Sequence, residues 1–124
     1  MKNPEGHQTI MPYLILEGAE KFIDFTKEVF NAELTNKELR ENETCIRHAE
    51  ITINGSTIML ADTAPQWTPA TCHLFIYVDN ADESFEKAKA AGATVLMGLS
   101  DQSYGRTCGV TDPTGNVWWI TSVK

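Results

Sequence analysis

Apolar and polar positions along this chain follow two periods, and the order in which the periods appear repeats. Residues 9–16 alternate loosely, with Met11, Tyr13 and Ile15 against Pro12, Leu14 and Leu16, which predicts a strand. Pro12 marks it as an edge or a bulge, because proline brings no N–H to a sheet ladder. From Gly18 to Phe30 the spacing changes. Ala19, Phe22, Ile23, Thr26, Val29 and Phe30 share one face of a helix, and Asn31 is its stop. Strand patterns return over 32–39 and 45–53. In the second, Arg47, Ala49, Ile51 and Ile53 alternate with Ile46, His48, Glu50 and Thr52. Asn54-Gly55 is a hairpin signal, since both residues tolerate the positive φ of a tight turn. It leads into a short buried strand at 57–61.

Residues 62–70 carry Pro65 and Pro69 and no period, and read as a linker. The succession then starts again: a strand at 73–78, a helix at 82–91 closed by Gly92, and strands at 94–99, 106–111 and 117–121. Asp112-Pro-Thr-Gly115 has the chemistry of a reverse turn. Tyr13-Leu-Ile-Leu-Glu-Gly-Ala-Glu-Lys-Phe-Ile23 lies in register over Phe75-Ile-Tyr-Val-Asp-Asn-Ala-Asp-Glu-Ser-Phe85. Gly55-Ser-Thr-Ile-Met-Leu60 lies over Gly115-Asn-Val-Trp-Trp-Ile120. One strand–helix–strand–strand–strand unit is therefore used twice, because neither half can bury its apolar face alone. We expect one domain over 1–124, with modules at about 8–62 and 71–123 and a linker at 63–70.

Strand parity assigns faces. Ala49, Ile51, Ile53, Leu14, Leu16, Leu74, Ile76 and Val78 are the helix-facing set. Met11, Tyr13, Ile15, His48, Glu50, Thr52, His73, Phe75 and Tyr77 then face a cleft.

Composition narrows the function classes. The chain has 124 residues, 42% hydrophobic and 22% charged, with a net charge of −7. Such an acidic balance argues against nucleic acid and anionic membranes as partners. It could favour cationic ligands, although solubility is the plainer reason for it. No apolar run approaches the roughly 18 residues of a membrane span, and the first residues have no apolar stretch behind Lys2. A cytoplasmic protein without a signal peptide is expected. Cys45, Cys72 and Cys108 are widely spaced and odd in number, which reads as free thiols in a reducing compartment rather than zinc ligands.

Asp112-Pro-Thr-Gly-Asn-Val-Trp and Val78-Asp-Asn-Ala-Asp, in this setting, resemble the glyoxalase/bleomycin-resistance/extradiol-dioxygenase superfamily, also called vicinal oxygen chelate. His48-Ala-Glu-Ile51, Met59-Leu-Ala-Asp62 and Asp101-Gln-Ser-Tyr-Gly105 look like its PhnB-like branch. The resemblance spans about residues 9–123. It implies an α+β fold of two βαβββ modules whose curved, barrel-like mixed sheet forms a cup with helices outside. It also implies a small molecule or metal inside the cup, and homodimers. The family register turns Val117, Trp119 and Thr121 inward and leaves Trp118 in the core.

In metal-using relatives four cup positions supply His, Gln or Glu. Carried over residue by residue, the resemblance places Met11, Met59, His73 and Trp119 there. Only His73 keeps a ligand type, so the inherited metal site is expected to be degenerate and no cofactor is expected. His48, Glu50 and His73 are the residues from which a relocated site could be built, against the plainer role of cross-strand polar contacts. His7 lies in a polar leader expected to be disordered. Cys108, which the repeat pairs with His48, reads as a small buried hydrophobe rather than a nucleophile. Ser103-Tyr-Gly-Arg106 is a polar rim or simply an ordered loop.

The expectation is a small-molecule-binding protein with ligand contacts from Tyr13, His48, Glu50, Met59, His73, Phe75, Tyr77 and Trp119. Trp119, with Trp67 of the linker, would stack on a planar ligand and Glu50 would pair with a cationic group. The alternative is a metal-dependent lyase, isomerase or dioxygenase-type enzyme using His48, Glu50 and His73. A third possibility is a cup filled by its own side chains.

Overall fold

A computed structural model describes residues 2–41 and 44–123. The elements are β1 (Tyr13–Leu16), α1 (Ala19–Phe30), β2 (Glu33–Leu39), β3 (Ile46–Ile53) and β4 (Ser56–Asp62), then β5 (His73–Tyr77), α2 (Ala81–Ala90), β6 (Thr94–Gln102), β7 (Gly105–Thr111) and β8 (Val117–Ser122). They form two four-stranded mixed sheets of identical plan, ordered β1-β4-β3-β2 and β5-β8-β7-β6. The outer pairs β1–β4 and β5–β8 are parallel, and the remaining pairs are antiparallel. The fold is α+β, two βαβββ modules, and the sheets do not close into a barrel.

Local chemistry sets the element ends. Asn31 takes a left-handed conformation with φ 56° and sends its N–H to the Thr26 carbonyl, stopping α1. Asn80 caps α2, its side chain accepting from the Glu83 N–H at 3.1 Å. Asn54 and Gly55 both have positive φ, 45° and 86°, as the predicted hairpin requires. The linker is not wholly without partners, for Ala70 exchanges two backbone hydrogen bonds with Ile15 on the edge of β1.

The two modules share one core on their helical side. Leu14, Leu16, Phe22, Ile23, Ala49, Ile51, Leu60, Trp118 and Ile120 are all buried. Trp118 of β8 packs its ring 4.7 Å from Phe30 and 6.0 Å from Phe22, both on α1. The last strand of the second module is thereby joined to the helix of the first. The indole N–H donates to Asp112 Oδ2 at 2.8 Å. The Asp112 carboxylate also accepts from the N–H groups of Thr114 and Asn116, which ties the Asp112–Gly115 turn to the core. The opposite face of each sheet is open: Tyr13, Phe75 and Tyr77 are exposed.

One expected alternation fails. Leu39 pairs with Ile46, while the preceding Glu38 pairs with His48, so Arg47 is an extra residue in β3. This bulge reverses the parity below it. Ile46 is buried in the core and Arg47 is turned out, the reverse of the simple alternation. No helix among the described residues is long and apolar enough to cross a membrane.

Candidate functional site

The bulge in β3, the end of β2 and the linker together border an open cleft of about 830 Å³ on the first sheet. Tyr13 and Ile15 of β1 and Ala61 of β4 form its sheet side. Trp67 and Gln66 come from the linker, and Arg40, Glu41 and Arg47 from the β2–β3 hairpin.

Beside Tyr13 runs a chain of polar side chains. The Tyr13 hydroxyl lies 3.2 Å from His48 Nδ1, His48 Nε2 lies 2.8 Å from Glu50 Oε2, and Glu50 Oε1 lies 2.8 Å from His7 Nε2. An ionised Glu50 accepts from both imidazoles, so Nε2 carries the proton in each ring and His48 Nδ1 is left to accept from the tyrosine hydroxyl. The hydrogen bond from His48 holds the Glu50 carboxyl below its ordinary value, against the opposing effect of burial, with His7 acting in the same direction. Glu50 thus has both oxygens engaged.

His7 is placed by its neighbours, contrary to the expectation of a disordered leader. The Gln8 side chain pairs with the backbone of Thr57, donating to its carbonyl at 2.8 Å and accepting from its N–H at 3.3 Å. β4 at Thr57 lies beyond the reach of β1, whose pairing begins at Met59. An amide side chain therefore supplies what a longer strand would have supplied. Only the polar leader composition was visible in the sequence; the partners of His7 and Gln8 stand more than forty residues away.

The charges at the cleft are unevenly matched. Both oxygens of Asp62 are engaged, accepting from Ala19 N–H at 2.7 Å and from Ile46 N–H at 2.6 Å. Arg40 Nη2 donates instead to the Asp62 carbonyl, at 2.6 Å. Arg40 Nε is buried without a hydrogen-bond partner. Arg47 is paired with Glu38.

On the second sheet the aromatic side chains form their own group. The Phe75 ring lies 5.2 Å from Tyr77 and 6.3 Å from Tyr104. Trp119 lies flat over Gly109, where an added Cβ would stand 2.5 Å from its Cζ3. Its N–H donates to His73 Nδ1 at 3.2 Å, and the two rings stack at 6.0 Å.

The eight expected ligand residues therefore fall into two sets. Tyr13, His48, Glu50 and Met59 adjoin on the first sheet, where Met59 pairs with both Tyr13 and Glu50. His73, Phe75, Tyr77 and Trp119 adjoin on the second, where Phe75 pairs with Trp119. Cys108 is not the counterpart of His48. It pairs with Ile120 as Ala49 pairs with Leu60, and it is fully buried. Burial pushes its thiol up to about 11, which leaves it unreactive. Arg106 donates to Asp82 at 2.6 and 3.1 Å and to Asp101 at 3.3 Å, so the 103–106 segment is an ordered hairpin end tied to α2. Arg40 and Arg47 were not legible as site residues, because a bulge leaves no mark on a hydrophobic period.

This topology, one βαβββ unit doubled around a shared core, defines a fold class. The sequence model of the Glyoxalase/Bleomycin resistance protein/Dioxygenase superfamily matches residues 9–120, and the chain belongs to that superfamily. The uncharacterized protein Mb0911c of Mycobacterium bovis is 36% identical to it, over 88% of this chain and 79% of that protein. TioX from Micromonospora sp. ML1 superposes with a TM-score of 0.72 at 26% identity, covering 94% of this chain and 97% of TioX. A PhnB protein from Bacillus cereus gives a TM-score of 0.77 at 24% identity, covering 94% and 100%. TnmS3, an antibiotic-binding protein from Streptomyces sp. CB03234, shares the fold with a TM-score of 0.69 at 21% identity, covering 95% and 100%.

Proposed function

We propose that the protein binds a small, planar organic molecule without a metal ion, in cups that a second copy of the chain completes. What carries this reading is the residue set that the family resemblance assigns to the four positions where metal-using relatives hold their ion: Met11, Met59, His73 and Trp119. Thioethers are soft donors, an indole donates no lone pair, and the Nδ1 of His73 already accepts the Trp119 N–H. Such a set does not fit a divalent ion that takes nitrogen and oxygen ligands.

The enzyme alternative would gather His48, Glu50 and His73 around one ion. Within one chain His48 and Glu50 stand on β3 and are engaged with each other and with His7, whereas His73 stands on β5 with its Nδ1 taken by the Trp119 N–H. Among the described residues no three His, Cys, Asp or Glu side chains are grouped to hold a metal.

The homodimer is supported by what each sheet leaves open. Among the described residues the 830 Å³ cleft is bordered by the first module and the linker alone, and the aromatic face with Phe75, Tyr77 and Tyr104 is exposed. A second copy offering its aromatic face to the first sheet would enclose a ligand and cover both. The test is a titration of EDTA-dialysed protein with planar aromatic compounds, read at the indole N–H signals of Trp67 and Trp119, beside sedimentation of the same sample. Binding by a dimer without metal is expected. A micromolar monomer, or binding that appears only when divalent metal is restored, contradicts it.

A further inference from the structure

We infer that the first-sheet cleft takes a planar organic anion, an aromatic ring bearing a carboxylate, with Arg40 as the residue that reads the charge. The inference rests on the small-molecule reading above and fixes the ligand class within it.

Arg40 has no carboxylate partner among the described residues. The nearest candidate, Asp62, uses both carboxylate oxygens on the N–H groups of Ala19 and Ile46. Of the five N–H donors of the guanidinium, one goes to the Asp62 carbonyl and Nε is buried without an acceptor. Nε has no access to the cleft, but the remaining Nη donors of a guanidinium anchored by one bond are preorganised for a planar acceptor. Arg47, on the same cleft, is already matched by Glu38. Glu41 also borders the cleft but forms no ion pair with either arginine.

The walls fit the same ligand. Trp67 and Tyr13 are half exposed on the cleft, and Ile15 and Ala61 line it with them. An aromatic ring would find apolar and aromatic surface there, with its acid group toward Arg40. The acidic residue that sequence reading singles out for a cationic ligand, Glu50, is already flanked by two imidazoles. The overall charge of −7 opposes anions at long range, so the selection has to be local.

The probes are 2-naphthoate, 2-naphthamide and 2-naphthylmethylammonium, which share a ring system and differ in charge. Each is titrated against the full chain and its Arg40→Gln and Arg40→Lys variants, with thermal melts to show that both variants fold. Naphthoate should bind about tenfold tighter than the amide. Arg40→Gln should remove the preference for naphthoate over the amide, and Arg40→Lys should restore only part of it. A preference for the ammonium probe, or a naphthoate preference that survives in Arg40→Gln, overturns the inference. Equal binding of all three probes overturns it as well but leaves the small-molecule reading standing. Binding by none of them counts against both.

Discussion

In each module the end of the last strand holds the first turn of that module's own helix. Asp62 Oδ1 accepts the Ala19 N–H at 2.7 Å, and Ser122 Oγ accepts the Ala81 N–H at 3.2 Å. The acceptors differ, yet the backbone contact is the same. The open faces show the reverse. Glu50 pairs with Met59 as Gly109 pairs with Trp119. In the first module a carboxylate at that point organises His7, His48 and Tyr13. In the second, a bare glycine lets an indole lie flat on the sheet. The duplicated contacts that form the core tolerate little change, because burial and unsatisfied groups penalise it. The open face carries no such penalty, and there one module is charged and cleft-forming and the other aromatic.

The sharpest way to break this comparison is to exchange the fates of neighbouring tryptophans. Trp118→Ala should remove the contacts with Phe22 and Phe30 and strand the Asp112 carboxylate, at a cost of roughly 3–5 kcal/mol in chemical denaturation. Trp119→Ala should cost only about 1 kcal/mol while weakening ligand binding. If Trp119→Ala unfolds the protein and Trp118→Ala does not, the assignment of faces is reversed.

The glycine under the indole gives the next effect. Gly109→Ala puts a methyl group where Trp119 lies and should destabilise by roughly 1–3 kcal/mol. In a Trp119→Ala background the same change should be close to neutral. An additive cycle would mean that the indole does not rest on Gly109 in solution.

The smallest expected effect lies on the charged face. Glu50 has its pKa lowered in the folded chain. Its contribution is therefore complete above the usual carboxylate range and is lost as pH falls through the folded value. On acidification below that range the melting temperature of the wild type should fall further than that of Glu50→Gln. Parallel acid profiles would show that the His7–Glu50–His48 chain adds nothing to stability.

Much of this contrast could be read from residues alone. The helix that ends at Phe30, its stop at Asn31 and the cleft-facing set His73, Phe75 and Tyr77 follow from period and turn chemistry, whereas the burial of Trp118 comes from the family register. The parts that escaped share a cause. The bulge at Arg47 shifts parity without changing composition, and it is what separates a buried Ile46 from an outward Arg47. His7 and Gln8 are ordered by partners far along the chain, on β3 and β4. Arg40 is notable only because the Asp62 carboxylate is turned elsewhere. Each is a tertiary relation that no local pattern encodes.

The central claim, binding without a metal ion, is tested most directly by elemental analysis of the protein purified without chelators. Zinc, nickel, iron and manganese should each be far below one equivalent per chain, and unchanged in His73→Ala. Close to one equivalent of any of them, lost in His73→Ala, would contradict the account.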